Sequence, residues 1–209
     1  MKISSKHYNS DWESLKAELD DPKSPDWDTA IEIFKDRIAH RFIVPINALI
    51  GYEKSLQPSE RRCGFVIMAI DCLLIETLQA FRDGKLLSEY GPTEASLIIK
   101  FLRRSPRFYW EQWKAYRFCR DFRNGILHQA ETKNDSLIRS DGPLVTGDEN
   151  DKGLIINRTK FHEQVEGAFF DYLDELRKES RTELRSNFRK KMAEVCRENQ
   201  LEKQHPRNS

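Results

Sequence analysis

The chain has 209 residues, 35 of them basic and 34 acidic, for a formal net charge of +1. That length can bury a substantial core in one domain or in one domain with extensions. The near-zero balance excludes whole-molecule attraction to nucleic acid or membrane, and Cys63, Cys72, Cys119 and Cys196 show neither a CxxC pair nor finger-like spacing to a His.

Charge is unevenly distributed along the chain. Asp11, Glu13, Glu18, Asp20, Asp21, Asp26 and Asp28 make the N-terminal quarter acidic. Between Lys100 and Arg123 the balance reverses, and a second basic excess covers Arg177 to Lys191. Met1 is followed by polar residues, so no secretory signal is read. The longest apolar run, Phe65 to Ile75, is interrupted by Asp71 and is shorter than the roughly 20 residues that span a bilayer. A soluble, cytoplasmic protein without a membrane segment is expected.

In chain order, residues 1–9 read as a loose tail. Asp11 opens a short amphipathic helix with Trp12, Leu15 and Leu19 on one stripe, ended by Asp21-Pro22. Ser24-Pro25 signals the next helix, with Trp27, Ile31, Phe34 and Ile38 at helical spacing. Pro45 kinks or ends it. Gln57-Pro58-Ser59 starts the longest apolar element, from about 60 to 83, stopped by Gly84. Apolar nearly all round, it belongs at the centre of a bundle. Gly91-Pro92-Thr93 caps a helix through Arg104, and Ser105-Pro106 opens a basic, aromatic-rich one.

Short β-prone runs follow at 136–139, 143–145 and 154–156, separated by Asp141-Gly142, Gly147-Asp148 and Lys152-Gly153. Thr159 caps a helix whose Phe161, Val165, Phe169, Tyr172 and Leu176 point inward. Beyond Arg177 the apolar positions thin to Leu184, Phe188, Met192 and Val195, a pattern open to projecting, pairing with another chain or fraying. The fold class read from this pattern is all-α, an up-and-down helical bundle with a small β-hairpin insertion (about 136–157) and a long C-terminal helix. It divides into an N-terminal helical extension (1–55), a bundle (56–178) and a basic C-terminal extension (179–209).

The chemistry concentrates in Tyr116 to Gln129. There a guanidinium (Arg123), a carboxamide (Asn124) and an imidazole (His128) surround Gly125, with Arg117, Arg120 and Lys114 leading in. Arginine stabilises extra charge on a phosphate, and histidine exchanges a proton near neutral pH. A bare Arg–His pair recurs by chance in a chain this rich in arginine; the intervening Asn and Gly and the basic helix raise it. Five residues along an α-helix set side chains about 140° apart, so Arg123 and His128 diverge on an unbroken helix. Either Gly125 bends the backbone or takes φ > 0, or two copies of the segment share one cleft.

Arg123-Asn124-Gly125-Ile126-Leu127-His128 resembles the Arg-polar-x-x-x-His signature of the HEPN superfamily, and residues 60–176 resemble its helical layout. The resemblance implies an up-and-down bundle, usually a homodimer with the motif at the dimer cleft. It also implies a metal-independent endoribonuclease of toxin–antitoxin, anti-phage defence or RNA-processing systems, with an antitoxin or defence protein as a possible partner. By resemblance, His128 is the general acid or base, Arg123 the transition-state stabiliser and Asn124 the polar orienter. A ribose 2′-OH would attack its own phosphate, giving a 2′,3′-cyclic phosphate. Glu76 is a candidate to support Arg123 or His128, and Arg120, Arg117 and Lys114 to contact RNA phosphates. No metal or cofactor is called for.

Plainer readings stand beside these. Arg123 and His128 also fit a helix end and turn, with the imidazole bonded to a carbonyl. Arg117, Arg120 and Lys114 equally fit a solvated helix face. Phe108, Tyr109, Trp110, Trp113, Tyr116 and Phe122 fit core or interface better than base stacking. His40 and His162 read as structural. From a different functional class, the same bundle fits a non-catalytic module that docks a partner protein or a nucleotide.

Overall fold

The computed structural model describes residues 2–86 and 95–204, with side chains for 2–86 and 97–196. The helices are α1 (Asn9–Leu15), α2 (Asp26–Ile38), α3 (Val44–Lys54), α4 (Gly64–Asp83), α5 (Ala95–Arg104), α6 (Gln112–Phe118), α7 (Asn124–Gln129), α8 (Arg158–Arg177) and α9 (Thr182–Gln204). A small sheet is built from β1 (Leu137–Arg139), β2 (Val145–Thr146) and β3 (Ile155–Asn157). The mostly helical reading holds. The chain divides into two compact units, one drawn from 1–41, 80–90 and 171–209, the other from 42–79 and 91–170.

The first unit is organised around aromatic rings. Phe34 meets Phe81 at 4.5 Å between centroids and Phe188 at 5.5 Å, and Trp12 meets Phe188 edge-on at 6.0 Å. Phe188, Met192 and Cys196 of α9 are fully buried, so up to there the C-terminal helix is part of a core. Arg185 lies 4.2 Å over Trp27 and donates to the carbonyls of Leu176 and Pro22 at 2.7 and 2.6 Å.

The N-terminal tail is pinned, contrary to the expectation of a loose segment. Ile3 is fully buried, and its carbonyl accepts from Arg37 Nη1 at 2.6 Å. Ser5 Oγ and the Lys6 amide donate to the Asp36 carboxylate at 2.7 and 3.1 Å. Burial raises the pKa of Asp36, but the hydroxyls of Ser4 and Ser5, the Lys6 amide and His40 outweigh it and hold it at about 2. A depressed carboxylate stabilises the fold above its ordinary pKa of 3.8 and ceases to do so as pH falls through about 2. Thermal melts of wild type and Asp36→Asn should therefore differ at neutral pH and converge as the pH drops through that window.

In the second unit Phe118 stacks on Phe122 (5.2 Å) and on Phe161 (4.9 Å), with Phe108 and Trp110 against Phe161 at 5.3 and 6.1 Å. Pro45 does not end its helix. A π-helical turn, Ala39–Ile43, carries the chain into α3 with the proline in the first turn, where its missing N–H leaves no bond unmade. The long apolar element starts at Gly64 after a short 3₁₀ turn, Pro58–Glu60. At 20 residues α4 starts about four residues later than the expected element and ends where expected, at Asp83. It is the one described helix whose length and hydropathy suit a bilayer, yet 56% of that window is buried, as in the core helix of a soluble protein. The expected Gly91-Pro92-Thr93 cap lies outside the described residues.

The β insertion is a three-stranded mixed sheet rather than a hairpin. Its order is β1-β3-β2, with β1 parallel to β3 and β2 antiparallel to it. Burial explains the order. Ile156 at the centre is fully buried, whereas Leu137 on the edge is 45% exposed. The cap of α8 is Asn157, not Thr159. Its Oδ1 accepts from the Thr159 and Lys160 amides at 3.1 and 3.2 Å, while its Nδ2 donates to the Gly142 carbonyl.

Candidate functional site

Arg123, Asn124 and His128 lie where α6 runs into α7 through a second π-helical turn, Cys119–Arg123, in which the Asn124 amide reaches back to the Cys119 carbonyl. Turns of this kind insert one residue into a helix and concentrate at functional sites. Here the extra residue lets Cys119, Asp121 and Phe122 all face inward.

Arg123 is mostly buried. Its Nε donates to Glu76 Oε1 at 2.8 Å, and its Nη1 donates to Asn124 Oδ1 at 3.1 Å. The expected supporting role of Glu76 thus has a geometry: α4 supplies a carboxylate that is 22% exposed beside a guanidinium that is 12% exposed. A charge-assisted bond on one edge of the guanidinium and an amide on another fix its plane.

His128 stands on the last turn of α7. It is exposed and makes no hydrogen bond or ion pair among the described residues. Arg123 has αR backbone angles at the end of the π-helical turn and α7 continues from Asn124 through His128, so the two side chains leave the helix about 140° apart. Gly125 neither bends the helix nor adopts positive φ; the left-handed residue is Ala130 at φ 54°. Glycine is needed at 125 for close approach, because a Cβ there would lie 2.3 Å from the Glu131 carbonyl oxygen. The chain can therefore fold straight back across the helix after His128.

That return segment is stitched to Asp121, a residue the charge pattern presents only as a counter-ion. Asp121 is fully buried. It accepts from Arg120 Nε (2.5 Å) and Nη2 (2.7 Å), from Asn134 Nδ2 (2.6 Å) and from Ser136 Oγ (3.2 Å). Its carbonyl takes the Lys133 amide at 3.1 Å. The sequence signal available was an acid one position before the inward Phe122.

The basic residues leading in are all engaged within the chain. Arg117 donates to the Asp148 and Glu149 carbonyls at 2.9 and 3.0 Å, Lys114 pairs with Glu111 at 2.9 Å, and Arg120 is held by Asp121. Lys114 and Arg117 both lie 5.1 Å from the Trp113 ring. Of the aromatic group, Phe108, Trp110 and Phe122 are buried, while Tyr109 and Tyr116 are more than half exposed.

Two buried pairs, invisible as pairs in the sequence, tie α8 to α4 and to α3. His162 Nδ1 and Asp71 Oδ1 meet at 2.7 Å with both residues fully buried. Burial pushes the Asp71 carboxyl upward. Glu53 and Arg158 form an ion pair, and Glu53 also accepts the Cys63 amide at 2.6 Å. Among the described residues, no group of three or more His, Cys, Asp and Glu is placed to hold a metal ion. No family model, curated protein or solved structure matches the chain.

Proposed function

We propose that the chain is a metal-independent endoribonuclease of the HEPN type that acts as a homodimer. The observation that carries this reading is the contrast within one helical segment. The guanidinium of Arg123 is locked by Glu76 and Asn124, whereas the imidazole of His128, one turn on, is open to solvent and unengaged among the described residues. A fixed cation suits a developing phosphorane, and a free imidazole suits proton transfer.

The divergence of the two side chains favours a second copy, so that Arg123 of one protomer and His128 of its partner face one cleft. Exposed apolar side chains along α4 and at Leu127 within the motif are consistent with such pairing. Val66 and Leu73 on α4 are 44% and 46% exposed, as is Leu127 at 44%, and exposed apolar groups on a long helix mark contact sites when they cluster.

The test is incubation of the purified chain with total RNA in excess EDTA, with product ends and solution mass read in parallel. Fragments ending in 2′,3′-cyclic phosphate from a dimer are expected. Intact RNA would leave the docking-module reading, which has its own support because the Arg123 charge is already balanced by Glu76.

A further inference from the structure

A cavity of about 580 Å³ opens at the N-terminal end of α4, lined by Arg61, Arg62, Phe65, Arg139, Ser140, Asp141 and Arg158 among others. Four arginines face one carboxylate. Arg158 forms the floor, 4% exposed, with its charge met by Glu53. The remaining three have no carboxylate partner among the described residues. Arg61 is aimed by neutral acceptors: its Nε and Nη2 donate to the Leu56 carbonyl, each at 3.3 Å, and its Nη1 to Ser140 Oγ at 3.3 Å. Arg62 and Arg139 are exposed.

The backbone adds to the same field. The first amides of a 20-residue helix have no intrahelical partner and carry the positive end of its dipole. The Cys63 amide is taken by Glu53, and the Ile67 amide bonds the Cys63 carbonyl, so the N–H groups of Gly64, Phe65 and Val66 are the ones left at the helix end. Gly64 permits close approach of the sheet, since a Cβ there would lie 3.0 Å from Ile138 Cγ2. On the rim, Phe65 holds a large ring 42% exposed beside the arginines.

We propose that this pocket binds a nucleoside polyphosphate, with the phosphates on Arg61, Arg62, Arg139 and the α4 amides, and the base stacked on Phe65. The charge selects a multiply anionic ligand: arginine forks match phosphate oxygens, and a helix N-terminus is a ready anion seat. The volume, within the usual range for small-molecule sites, exceeds what a lone phosphate fills. The exposed ring supplies the sequence-tolerant stacking surface that nucleobases use. The site is separate from the Arg123 segment. Gly64 and Glu76 are twelve residues apart on α4, about 18 Å of helix, so the pocket does not rest on the ribonuclease reading.

Isothermal titration of the full chain with ATP, pyrophosphate and adenosine tests this. ATP and pyrophosphate should bind saturably and adenosine should not. Arg62→Glu combined with Arg139→Glu, at two exposed positions, should leave the circular dichroism spectrum unchanged and weaken both by at least about tenfold. Phe65→Ala should weaken ATP by roughly fivefold or more and leave pyrophosphate unchanged. Absence of saturable ATP binding at millimolar concentration overturns the proposal, as does ATP binding indifferent to the double charge reversal. Capture of a 5′-hydroxyl RNA oligonucleotide through the same arginines without ATP binding also overturns it, in favour of an RNA-backbone groove.

Discussion

His128→Ala should reduce RNA cleavage by about 10²- to 10⁴-fold, the usual contribution of a positioned general acid or base, with almost no change in melting temperature. The second half follows from exposure: the ring touches no hydrogen-bond partner among the described residues, and surface substitutions of that kind stay within about 0.5 kcal/mol. Arg123→Ala should lose a comparable factor, roughly 10²- to 10³-fold, because it removes charge stabilisation of the transition state. It should also destabilise the fold, since it takes the Nε donor from Glu76, a carboxylate only 22% exposed. Arg123→Lys keeps the charge but loses the planar fork that reaches Glu76 and Asn124 together, so its activity should fall between those of wild type and Arg123→Ala. Mixing inactive His128→Ala with inactive Arg123→Ala subunits tests the shared cleft. Heterodimers that each carry one intact pair should regain activity, and persistent inactivity of the mixture would sink the two-copy arrangement. Cleavage by either single variant at the wild-type rate would remove its residue from the chemistry.

The helices are legible where an apolar stripe marks them and at the Ser24-Pro25 start of α2, because those signals depend on residues close in sequence. Ser105-Pro106 is no such start, since α6 begins only at Gln112, and Pro58 opens a short 3₁₀ turn ahead of α4. What escaped depends on distance. Nothing local announces that Asp71 will meet His162 or that Glu53 will meet Arg158, partners separated by 91 and 105 positions. Asp121 carries no local sign of burial, because the π-helical turn that brings it inward departs from the 3.6-residue period by which an inward position is recognised. Gly125 drew notice for the right position and the wrong reason: the sequence shows that a side chain is absent there, while only the fold shows which backbone atom would strike it. At the site itself, the triad of residue types was readable and the Glu76 pairing was anticipated. The engagement of Arg117 by the 148–149 backbone was not, since loop carbonyls carry no sequence signature.

Breaking the Glu53–Arg158 pair should be the most damaging single change to stability. Both side chains are almost fully buried, at 2% and 4% exposed, so removing one leaves the other charged and out of water. Arg158→Ala or Glu53→Ala is expected to cost about 3–5 kcal/mol in urea denaturation. Glu53 has the further duty of accepting the Cys63 amide at the start of α4, which makes it the costlier loss of the two. Replacing both at once, Glu53→Leu with Arg158→Met, removes the stranded charge and should recover most of the deficit, as apolar substitution of buried ion pairs often does. The pH dependence fixes the sign. Burial raises the Glu53 pKa, but the Cys63 amide and Arg158 outweigh it and hold it below its ordinary 4.5. The pair therefore stabilises the fold above that value and is lost as pH falls through the lowered one. The double variant should lack this acid limb altogether. A single variant less than about 1 kcal/mol below wild type would mean that water reaches the pair or, in Arg158→Ala, that Glu53 takes up a proton, since hydration and neutralisation are what relieve a lone buried charge.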